Sequence, residues 1–494
     1  MVMMNREIII EKGSTAIQVL CDSSGNILGF PAINVFAFLK KNLTEYEFDF
    51  RKKRWTAKYK YFKYDKDNRI LTIPVNTYSR FLSYINDSHG KYVVVDTPPN
   101  ESDVVTLSNT DKFSDRDYQK DAIDFLISDK PMKALEMQTG RGKTYVAIRT
   151  MMELGKKTLI VLPAFLVSQW SESIAMMSNA KVCMLRGSKS IFNLFTGEFT
   201  DDADIYIASV NTLSNYALGN KHYEPLPSFS RFIERLKVGL KITDECHMNF
   251  FANTLIDIQC NIEHNIYLSA TYMRSAASSN KIFNIVMPNE IRFGGGKYTK
   301  YVNITECEYS VGHINEKQIN TKRGYSQFKY EKHVMNNSRK MTTLMQDVML
   351  PLVHDYYIKL RKPKQKLLIL VGLVDFAEMV SQWIINAYPE LKCIVFVDKT
   401  DESVLEDSNT DIIISTIGSC GTGRDIEGLR TMILFTSFSS STSTYQTIGR
   451  LRKMEDTPEF VYMVNRSVDP HVRHCRTRRS IYKDIGLNFR QISI

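Results

Sequence analysis

The chain has few cysteines, and no two of them are spaced as a metal or disulfide pattern requires. Its 494 residues include eight cysteines without any Cys-x-x-Cys pair, so neither a zinc ribbon nor a disulfide framework is indicated. The longest apolar run, LLILVGLV, is too short to span a membrane, and the N-terminus lacks a signal-peptide core. These absences predict a soluble protein of the reducing cytoplasm, with no membrane partner.

Acidic residues are too few to balance the basic ones, and the basic excess is concentrated in two segments. The chain has 64 Lys and Arg against 54 Asp and Glu. The stretch RKKRWTAKYKYFKYDKDNR, residues 51–69, has nine basic and two acidic residues, and residues 466–490 have seven basic and two acidic. Positive charge concentrated in this way favours a polyanionic partner, with nucleic acid ahead of a membrane surface.

The length exceeds what one hydrophobic core accommodates and predicts several domains. Residues 1–105 combine helical and extended patterns and predict a small α+β domain that binds nucleic acid. Short apolar strands alternate with helical patterns in residues 106–290 and again in 341–494, with a polar connecting segment at 291–340. This alternation is typical of parallel sheets with crossover helices. The predicted fold class is therefore α/β, with two tandem parallel-sheet domains behind a small α+β domain.

The segment EMQTGRGKTYVAI has the composition of a phosphate-binding loop between a strand and a helix. Gly140 and Gly142 allow the backbone to curl so that its N–H groups surround a phosphate, and the helix N-terminus adds positive charge. Lys143 would reach the β- and γ-phosphates, and the Thr144 hydroxyl would ligate Mg²⁺. The strict motif has a glycine where this chain has Met137, but the strand–loop–helix setting disfavours a chance match.

A second segment, LKITDECHM, places two adjacent carboxylates at the end of a β-rich run. Asp244 can hold Mg²⁺ through water, and Glu245 can polarise the water that attacks the γ-phosphate. Such a pair alone is more often a solvated strand end, but the phosphate loop about a hundred residues earlier favours the catalytic interpretation. His247 by itself is expected to be a structural histidine.

Seven segments in this order resemble the superfamily 2 helicases and translocases over roughly residues 113–485. They are RDYQKDA, QTGRGKT, LPAFLVSQW, DECH, LSAT, STIGSCGTGRD and QTIGRLRK. Most of these matches are weak alone, but their shared order is highly specific. The resemblance implies two RecA-like motor domains, the cofactors ATP and Mg²⁺, and ATP hydrolysis stimulated by nucleic acid.

The resemblance also implies roles for individual residues of both motor domains. Nucleotide binding is implied for Gln119, Thr139, Gly140, Arg141, Gly142, Lys143, Thr144, Gly423 and Asp425. Coupling of hydrolysis to movement is implied for Ser269, Thr271 and Gln446, and nucleic-acid contact for Pro163, Gln169, Thr212 and Thr416. Arg450 is implied to stabilise the charge that develops on the γ-phosphate, at an ATP site completed when two domains close.

The sequence departs from the family pattern after Arg450. A second arginine usually stands three residues later, where this chain has Lys453, while Arg452 stands one place earlier. A lysine there would act as a point charge without bidentate geometry. We expect Arg452 to be the catalytic partner of Arg450, with Lys453 as the alternative.

The leading domain resembles, loosely and over about sixty residues, the phage recombination helicases of the UvsW type. This implies a protein that remodels forked or four-way DNA in the host cytoplasm, by branch migration and fork regression. We also expect it to be a monomer. The segments CGTGRDIEGL and QTIGRLRK also resemble viral helicases that release transcripts from polymerase. An RNA helicase and a non-catalytic nucleic-acid-binding scaffold remain alternatives.

The basic stretch admits two interpretations that depend on where its aromatic residues lie. Period-two alternation places Trp55, Ala57, Tyr59 and Tyr61 on one face. We expect these aromatic residues to be core, because base stacking would require them to be exposed. The basic residues are then expected to contact the phosphates of duplex DNA; they are Arg51, Lys52, Lys53, Lys58 and Lys60. The alternative is a basic, solvated strand.

Overall fold

The structure is a computed structural model that falls into two compact units, Met1–Gly295 and Gly296–Ile494. It describes residues 7–49, 52–110, 114–138, 140–197, 202–223, 226–270, 272, 277–294, 299–321, 324–397, 400, 403–420 and 426–494. Within these ranges, no helix combines the length and the apolar character needed to cross a membrane. All eight cysteines are free.

The first unit begins with a small α+β domain, as predicted. Its elements in chain order are β1 (Ile8–Lys12), β2 (Ala16–Leu20), β3 (Asn26–Ile27), β4 (Phe30–Asn34), α1 (Val35–Asn42), β5 (Thr44–Asp49), β6 (Arg54–Lys60), β7 (Lys63–Asp65), β8 (Ile70–Pro74), α2 (Tyr78–Asp87) and β9 (Tyr92–Asp96). Five strands form a mixed sheet in the order β7-β8-β2-β1-β9, whereas β5 and β6 form a separate hairpin. Phe38 of α1 and Phe81 of α2 pack edge to face, 5.3 Å apart, in the core beside this sheet.

The first α/β domain follows in the same unit. Its elements are α3 (Asp117–Ile127), β10 (Met132–Glu136), α4 (Lys143–Leu154), β11 (Thr158–Leu162), α5 (Val167–Met177), β12 (Val182–Leu185), α6 (Gly187–Thr196), β13 (Ile205–Ser209), α7 (Val210–Ala217), α8 (Phe229–Leu236), β14 (Leu240–Thr243), α9 (Phe250–Asp257), β15 (His264–Ser269), α10 (Ala277–Val286) and β16 (Arg292–Gly294). The strands form a parallel sheet in the order β12-β13-β11-β14-β15-β10-β16. Since parallel strands end at one edge, the loops after β10 and β14 meet there.

The second α/β domain occupies the second unit. Its elements are β17 (Asn303–Tyr309), α11 (Glu316–Ile319), β18 (Asn320–Thr321), β19 (Gly324–Tyr325), α12 (Gln327–Met335), α13 (Ser338–Thr342), α14 (Leu350–Val353), β20 (Lys366–Val371), α15 (Val374–Ala387), β21 (Cys393–Phe396), α16 (Ser403–Glu406), β22 (Ile412–Thr416), α17 (Ile417–Cys420), β23 (Leu429–Leu434), α18 (Ser441–Ile448), β24 (Glu459–Asn465), α19 (Asp469–Ile485) and β25 (Asn488–Ser493). Its parallel sheet has the order β21-β22-β20-β23-β24-β17-β25. Two seven-stranded parallel sheets confirm the predicted fold class.

The segment 291–340, expected to connect the two α/β domains, instead supplies a strand of the second sheet. Strand β17 pairs in parallel with both β24 and β25. Its buried Glu306 accepts a hydrogen bond from Nε of Arg479 at 2.9 Å, so an ion pair with α19 offsets the cost of burying this carboxylate. Glu306 adds to the polar character that suggested a connecting segment. Its partner Arg479 lies 173 positions away, so the sequence near Glu306 gives no sign that this carboxylate is paired.

The small α+β domain and the first α/β domain share one hydrophobic core. Tyr59 stacks on Phe251 with ring centroids 4.5 Å apart, and Tyr61 lies 5.5 Å from Phe250. The Thr15 hydroxyl donates a hydrogen bond of 2.7 Å to the backbone carbonyl of Asp257. The two domains are therefore joined through α9, the helix that follows the DECH segment.

The β5–β6 hairpin corrects the expectation that the aromatic residues of the basic stretch are all core. Tyr61 is buried, but Trp55 is 67% exposed. Glu45 pairs with Tyr59, whereas the next residue, Tyr46, pairs with Ala57, so Lys58 is an extra residue in β6. Such a bulge reverses the alternation along a strand. Trp55 and Ala57 consequently lie on the face opposite to Tyr59.

Candidate active site

The phosphate loop connects β10 to α4 as the sequence predicted, and its glycines adopt a conformation that other residues rarely take. Gly140 and Gly142 have φ angles of 83° and 87°. A Cβ atom at Gly142 would also lie 2.5 Å from Nε2 of Gln119. Both the backbone angle and this close approach require glycine at position 142. Thr139 lies outside the described residues.

Gln119 is buried beneath the loop and holds it in place. Its Oε1 atom accepts a hydrogen bond from the backbone N–H of Arg116 at 3.0 Å, which caps α3. Its Nε2 atom donates to the carbonyl of Arg141 at 3.1 Å, and the Tyr118 hydroxyl donates to the same carbonyl at 3.1 Å. The Arg141 guanidinium lies 4.3 Å from the centre of the Tyr118 ring. These contacts fix the loop backbone from the side of α3.

A cavity of about 300 Å³ opens beside the loop. It brings together four residues predicted to bind the nucleotide, namely Gln119, Gly140, Gly142 and Thr144. Tyr145 also lines it, and the Tyr145 hydroxyl donates a hydrogen bond of 2.7 Å to Asp115. The lining is mostly apolar with a few polar groups beside the N-terminus of α4, which suits an anionic ligand with an aromatic or ribose part.

Lys143 lies between the two carboxylates of the DECH segment. Its Nζ atom is 2.8 Å from Oε1 of Glu245 and 3.3 Å from Oδ1 of Asp244. Burial alone would lower the pKa of Lys143, but the two carboxylates outweigh burial and raise it. Burial raises the pKa of Asp244. Burial would also raise the pKa of Glu245, but the charge interactions with Lys143 and His247 outweigh burial and lower it. The predicted phosphate-binding cation and both catalytic carboxylates therefore form one buried cluster.

Trp170 belongs to this cluster, although the sequence analysis did not single it out. It lies on α5 with its ring buried, and its indole N–H donates to Oδ2 of Asp244 at 2.9 Å. The other oxygen of Asp244 accepts from the backbone N–H of Glu245 at 2.8 Å. Both carboxylate oxygens of Asp244 are thus oriented by donors from the protein.

His247 connects the DECH segment to LSAT. Its Nδ1 atom is 2.7 Å from the hydroxyl of Ser269 and 3.3 Å from Oε2 of Glu245. Ser269, predicted to couple hydrolysis to movement, therefore lies one side chain away from the predicted catalytic carboxylate. Thr271, the other predicted coupling residue of LSAT, lies outside the described residues.

We expect Trp170→Phe to impair metal-dependent hydrolysis without unfolding the domain. The substitution keeps an aromatic ring in the core but leaves Asp244 with one donor fewer, so its carboxylate is less well oriented. Removal of such a supporting contact typically costs about 10–100-fold in metal affinity or activity. ATP turnover should be measured across a Mg²⁺ titration, with thermal unfolding as the fold control. An unchanged Mg²⁺ dependence would show that Trp170 only fills space.

The residues present fit a Mg²⁺ ion that is completed by phosphate oxygens. Within the described part of the chain, no group of three or more His, Cys, Asp or Glu side chains is placed to hold a metal ion. Magnesium commonly takes only one or two protein ligands, with the rest supplied by water and substrate phosphates. Thr144 at the start of α4 and the oriented Asp244 match that requirement.

The remaining predicted residues lie in several places. Pro163 and Thr212 are buried, Gln169 is exposed, and the Thr212 hydroxyl accepts a 3.3 Å hydrogen bond from the backbone of Gly187.

In the second unit, Thr416 donates to Ser419 at 3.0 Å and Gln446 lies on α18. Arg450 is buried, whereas Arg452 is partly exposed and donates to the carbonyl of Gly449 at 3.3 Å. Arg51, Gly423 and Asp425 lie outside the described residues, and the predicted phosphate contacts Lys52, Lys53, Lys58 and Lys60 are exposed.

Comparison with known protein families finds a match over the first α/β domain. Residues 112–274 match the family described as type III restriction enzyme, res subunit. No curated protein matches the chain significantly.

Several solved structures are similar to the chain at low sequence identity. T4 UvsW is 14% identical over 99% of both chains with a TM-score of 0.38. The DNA-bound type ISP restriction-modification enzyme LlaBIII is 11% identical over 77% of this chain and 31% of its own, with a TM-score of 0.50. Dbp5 of S. cerevisiae, bound to RNA and ADP BeF3, is 12% identical over 76% and 89%, with a TM-score of 0.48.

The family match covers the phosphate loop, the DECH segment and LSAT, and the structure places Lys143, Asp244, Glu245 and Ser269 of those segments in one connected cluster. Over the first α/β domain, the chain is therefore similar to the family described as type III restriction enzyme, res subunit.

Proposed function

We propose that the protein is an ATP-dependent DNA helicase or translocase that remodels branched DNA, by fork regression and by migration of four-way junctions. The suggested setting is recombination, repair and replication of phage or viral DNA. The observation that carries the proposal is the shared core of the small α+β domain and the first α/β domain. The basic β5–β6 hairpin packs on the domain that contains Lys143. A nucleic acid bound to this hairpin would therefore move together with the ATP site.

In the proposed reaction, each residue of the cluster has a distinct task. ATP bound with Mg²⁺ would supply the phosphoryl group whose transfer to water releases free energy. Lys143 would present positive charge to the phosphates, and Asp244, oriented by Trp170, would hold the metal. Glu245 stays ionised beside Lys143 and can accept a proton from the attacking water.

The same cluster leads directly toward the basic hairpin. Helix α9 begins at Phe250, three residues after His247, and its first two residues contact Tyr61 and Tyr59. A displacement of the DECH loop would therefore be passed to the β5–β6 hairpin through packed aromatic rings. This route supports a protein in which hydrolysis moves a nucleic-acid-binding element.

A comparison of nucleic-acid substrates tests the proposal. We expect ATP hydrolysis to be stimulated most by forked and four-way DNA, less by linear duplex or single-stranded DNA, and least by RNA. A synthetic four-way junction should be dissociated in the presence of ATP. Stimulation by RNA alone would favour an RNA helicase, and release of a transcript from a stalled elongation complex would favour transcript release. A wild-type protein inactive with every substrate would favour the scaffold alternative.

Alanine substitution at positions 450, 452 and 453 tests the predicted arginine finger. We expect Arg450→Ala to lower stimulated ATP turnover by about a thousandfold, the lower end of what such an arginine contributes. Arg452→Ala should also lower stimulated ATP turnover strongly, and Lys453→Ala should lower it less. Steady-state turnover at saturating ATP separates the three. Loss of turnover only at position 453 would assign the second cation to Lys453.

A further inference from the structure

One face of the β5–β6 hairpin carries three exposed aromatic side chains. Tyr46, Phe48 and Trp55 are 37%, 38% and 67% exposed. Phe48 and Trp55 pair directly across the hairpin and pack edge to face, with ring centroids 5.7 Å apart. Tyr46 pairs with Ala57 on the same face, so the small alanine leaves the neighbouring rings accessible. We call Tyr46, Phe48 and Trp55 the aromatic face.

Basic side chains lie next to the aromatic face, at the tip of the hairpin. Lys52, Lys53 and Arg54 are exposed in and after the turn. On the opposite face, Lys58 lies 3.5 Å from Glu47. Positive charge beside exposed rings is the combination that binds a polyanion whose repeating unit also has a flat apolar surface.

The base of the hairpin is held rigidly, so the aromatic face has a fixed support. The Tyr61 hydroxyl donates to Oε2 of Glu45 at 2.9 Å, in a buried position. Tyr59 stacks on Phe251 of α9. The bulge at Lys58 separates this anchored part from the exposed part, because it reverses which side of β6 faces the protein.

We propose that the aromatic face stacks on unpaired bases of single-stranded nucleic acid, while the basic residues of the hairpin tip hold the adjoining phosphates. The inference deepens the proposed function, since it places a strand-separating element at the junction where duplex becomes single-stranded. A continuous duplex buries its base faces in its own stack, so it offers the phosphates but no surface for the rings. Three rings exposed together are costly in water unless a ligand covers them.

Binding of single strands with and without bases tests the inference directly, in the absence of ATP. The ligands are a fluorescein-labelled oligothymidylate and an abasic strand with the same number of phosphates. We expect Trp55→Ala to weaken oligothymidylate binding about tenfold, within the range for one base stacked on one ring. Binding of the abasic strand should stay at the wild-type value. Neutralising Lys52 and Lys53 should weaken the binding of both ligands to the same extent and should flatten the salt dependence of that binding.

Two matched variants strengthen the comparison. Phe48→Ala should reproduce the loss, whereas Phe192→Ala, which removes a 44% exposed phenylalanine from α6, should not. Trp55→Phe should largely retain affinity, because a phenyl ring can still stack. It should, however, lose the part of the fluorescence quenching by bound oligonucleotide that comes from Trp55, since Trp170 is buried and Trp383 is packed against the core of the second unit. Thermal unfolding checks that each variant is folded.

Specific outcomes would overturn the inference. If Trp55→Ala weakened the binding of the intact and abasic strands equally, the aromatic face would be only a phosphate-binding surface. Conversion of a wild-type dimer to a monomer by Trp55→Ala, with unchanged oligonucleotide binding, would make it an interface between copies. Because these measurements need no ATP, they are independent of junction dissociation by the wild-type protein, so failure of one proposal is distinguishable from failure of the other.

Discussion

Replacement of Lys143 by methionine is expected to abolish stimulated ATP hydrolysis, with a loss of at least about a hundredfold in turnover. Methionine keeps the length of the side chain but removes the charge that lies 2.8 Å from Glu245 and 3.3 Å from Asp244. Turnover at saturating nucleic acid is the measurement. Lys181→Met is the matched control, because that lysine forms an exposed pair with Asp202 at 3.0 Å. Retained turnover in Lys143→Met would contradict the assigned phosphate site.

The same substitution is expected to destabilise the protein in a pH-dependent manner. In the wild type the pKa of Glu245 is lowered, so its contribution to stability is present above the ordinary glutamate pKa and is lost as pH falls through the lowered value. Without Lys143, two neighbouring buried carboxylates repel each other when ionised, a situation that costs about 3–5 kcal/mol. The unfolding temperature of Lys143→Met should therefore fall further below wild type at pH 8 than at pH 5. A pH-independent difference would indicate lost packing only.

The parts of the site that the sequence predicted are those encoded by contiguous residues. The phosphate loop requires glycines at fixed spacing before Lys143, and the DECH segment requires its carboxylates at the end of a strand. Both requirements are local, so they are visible in a dozen residues. Trp170 was missed because its partner, Asp244, lies 74 positions away. A signal was nevertheless present, since a tryptophan in the core usually needs an acceptor for its N–H.

The two structural corrections also have non-local causes. Strand β17 carries a buried glutamate, Glu306, whose partners Arg479 and Gln491 lie far away in the sequence. In the hairpin, the alternation rule fails at Lys58, where the register with β5 shifts by one residue. A bulge depends on how two strands pair, so one strand alone does not reveal it. The same shift weakens the interpretation that the hairpin contacts only the phosphates of duplex DNA, because that interpretation assumed that the aromatic residues are buried.

Glu245→Gln is expected to separate ATP binding from ATP hydrolysis. The amide has nearly the same shape as the carboxylate and can still accept a hydrogen bond from Lys143, so the affinity for ATP should change little. An amide cannot accept the proton of the attacking water, and loss of a general base typically costs about 10²–10⁴-fold in rate. The measurements are kcat, and the dissociation constant of a fluorescent ATP analogue.

Asp244→Asn and Glu263→Gln complete this comparison. Asp244→Asn should weaken Mg²⁺-dependent binding as well as turnover, because Asp244 is the residue assigned to the metal. Glu263→Gln removes a charge from a partly exposed pair with Lys156 and should leave both quantities unchanged. If Glu245→Gln kept wild-type turnover while Asp244→Asn lost it, the proton acceptor would have to be another group. His247 would then be the next residue to replace, since its Nδ1 atom lies 3.3 Å from Oε2 of Glu245 and 2.7 Å from the Ser269 hydroxyl.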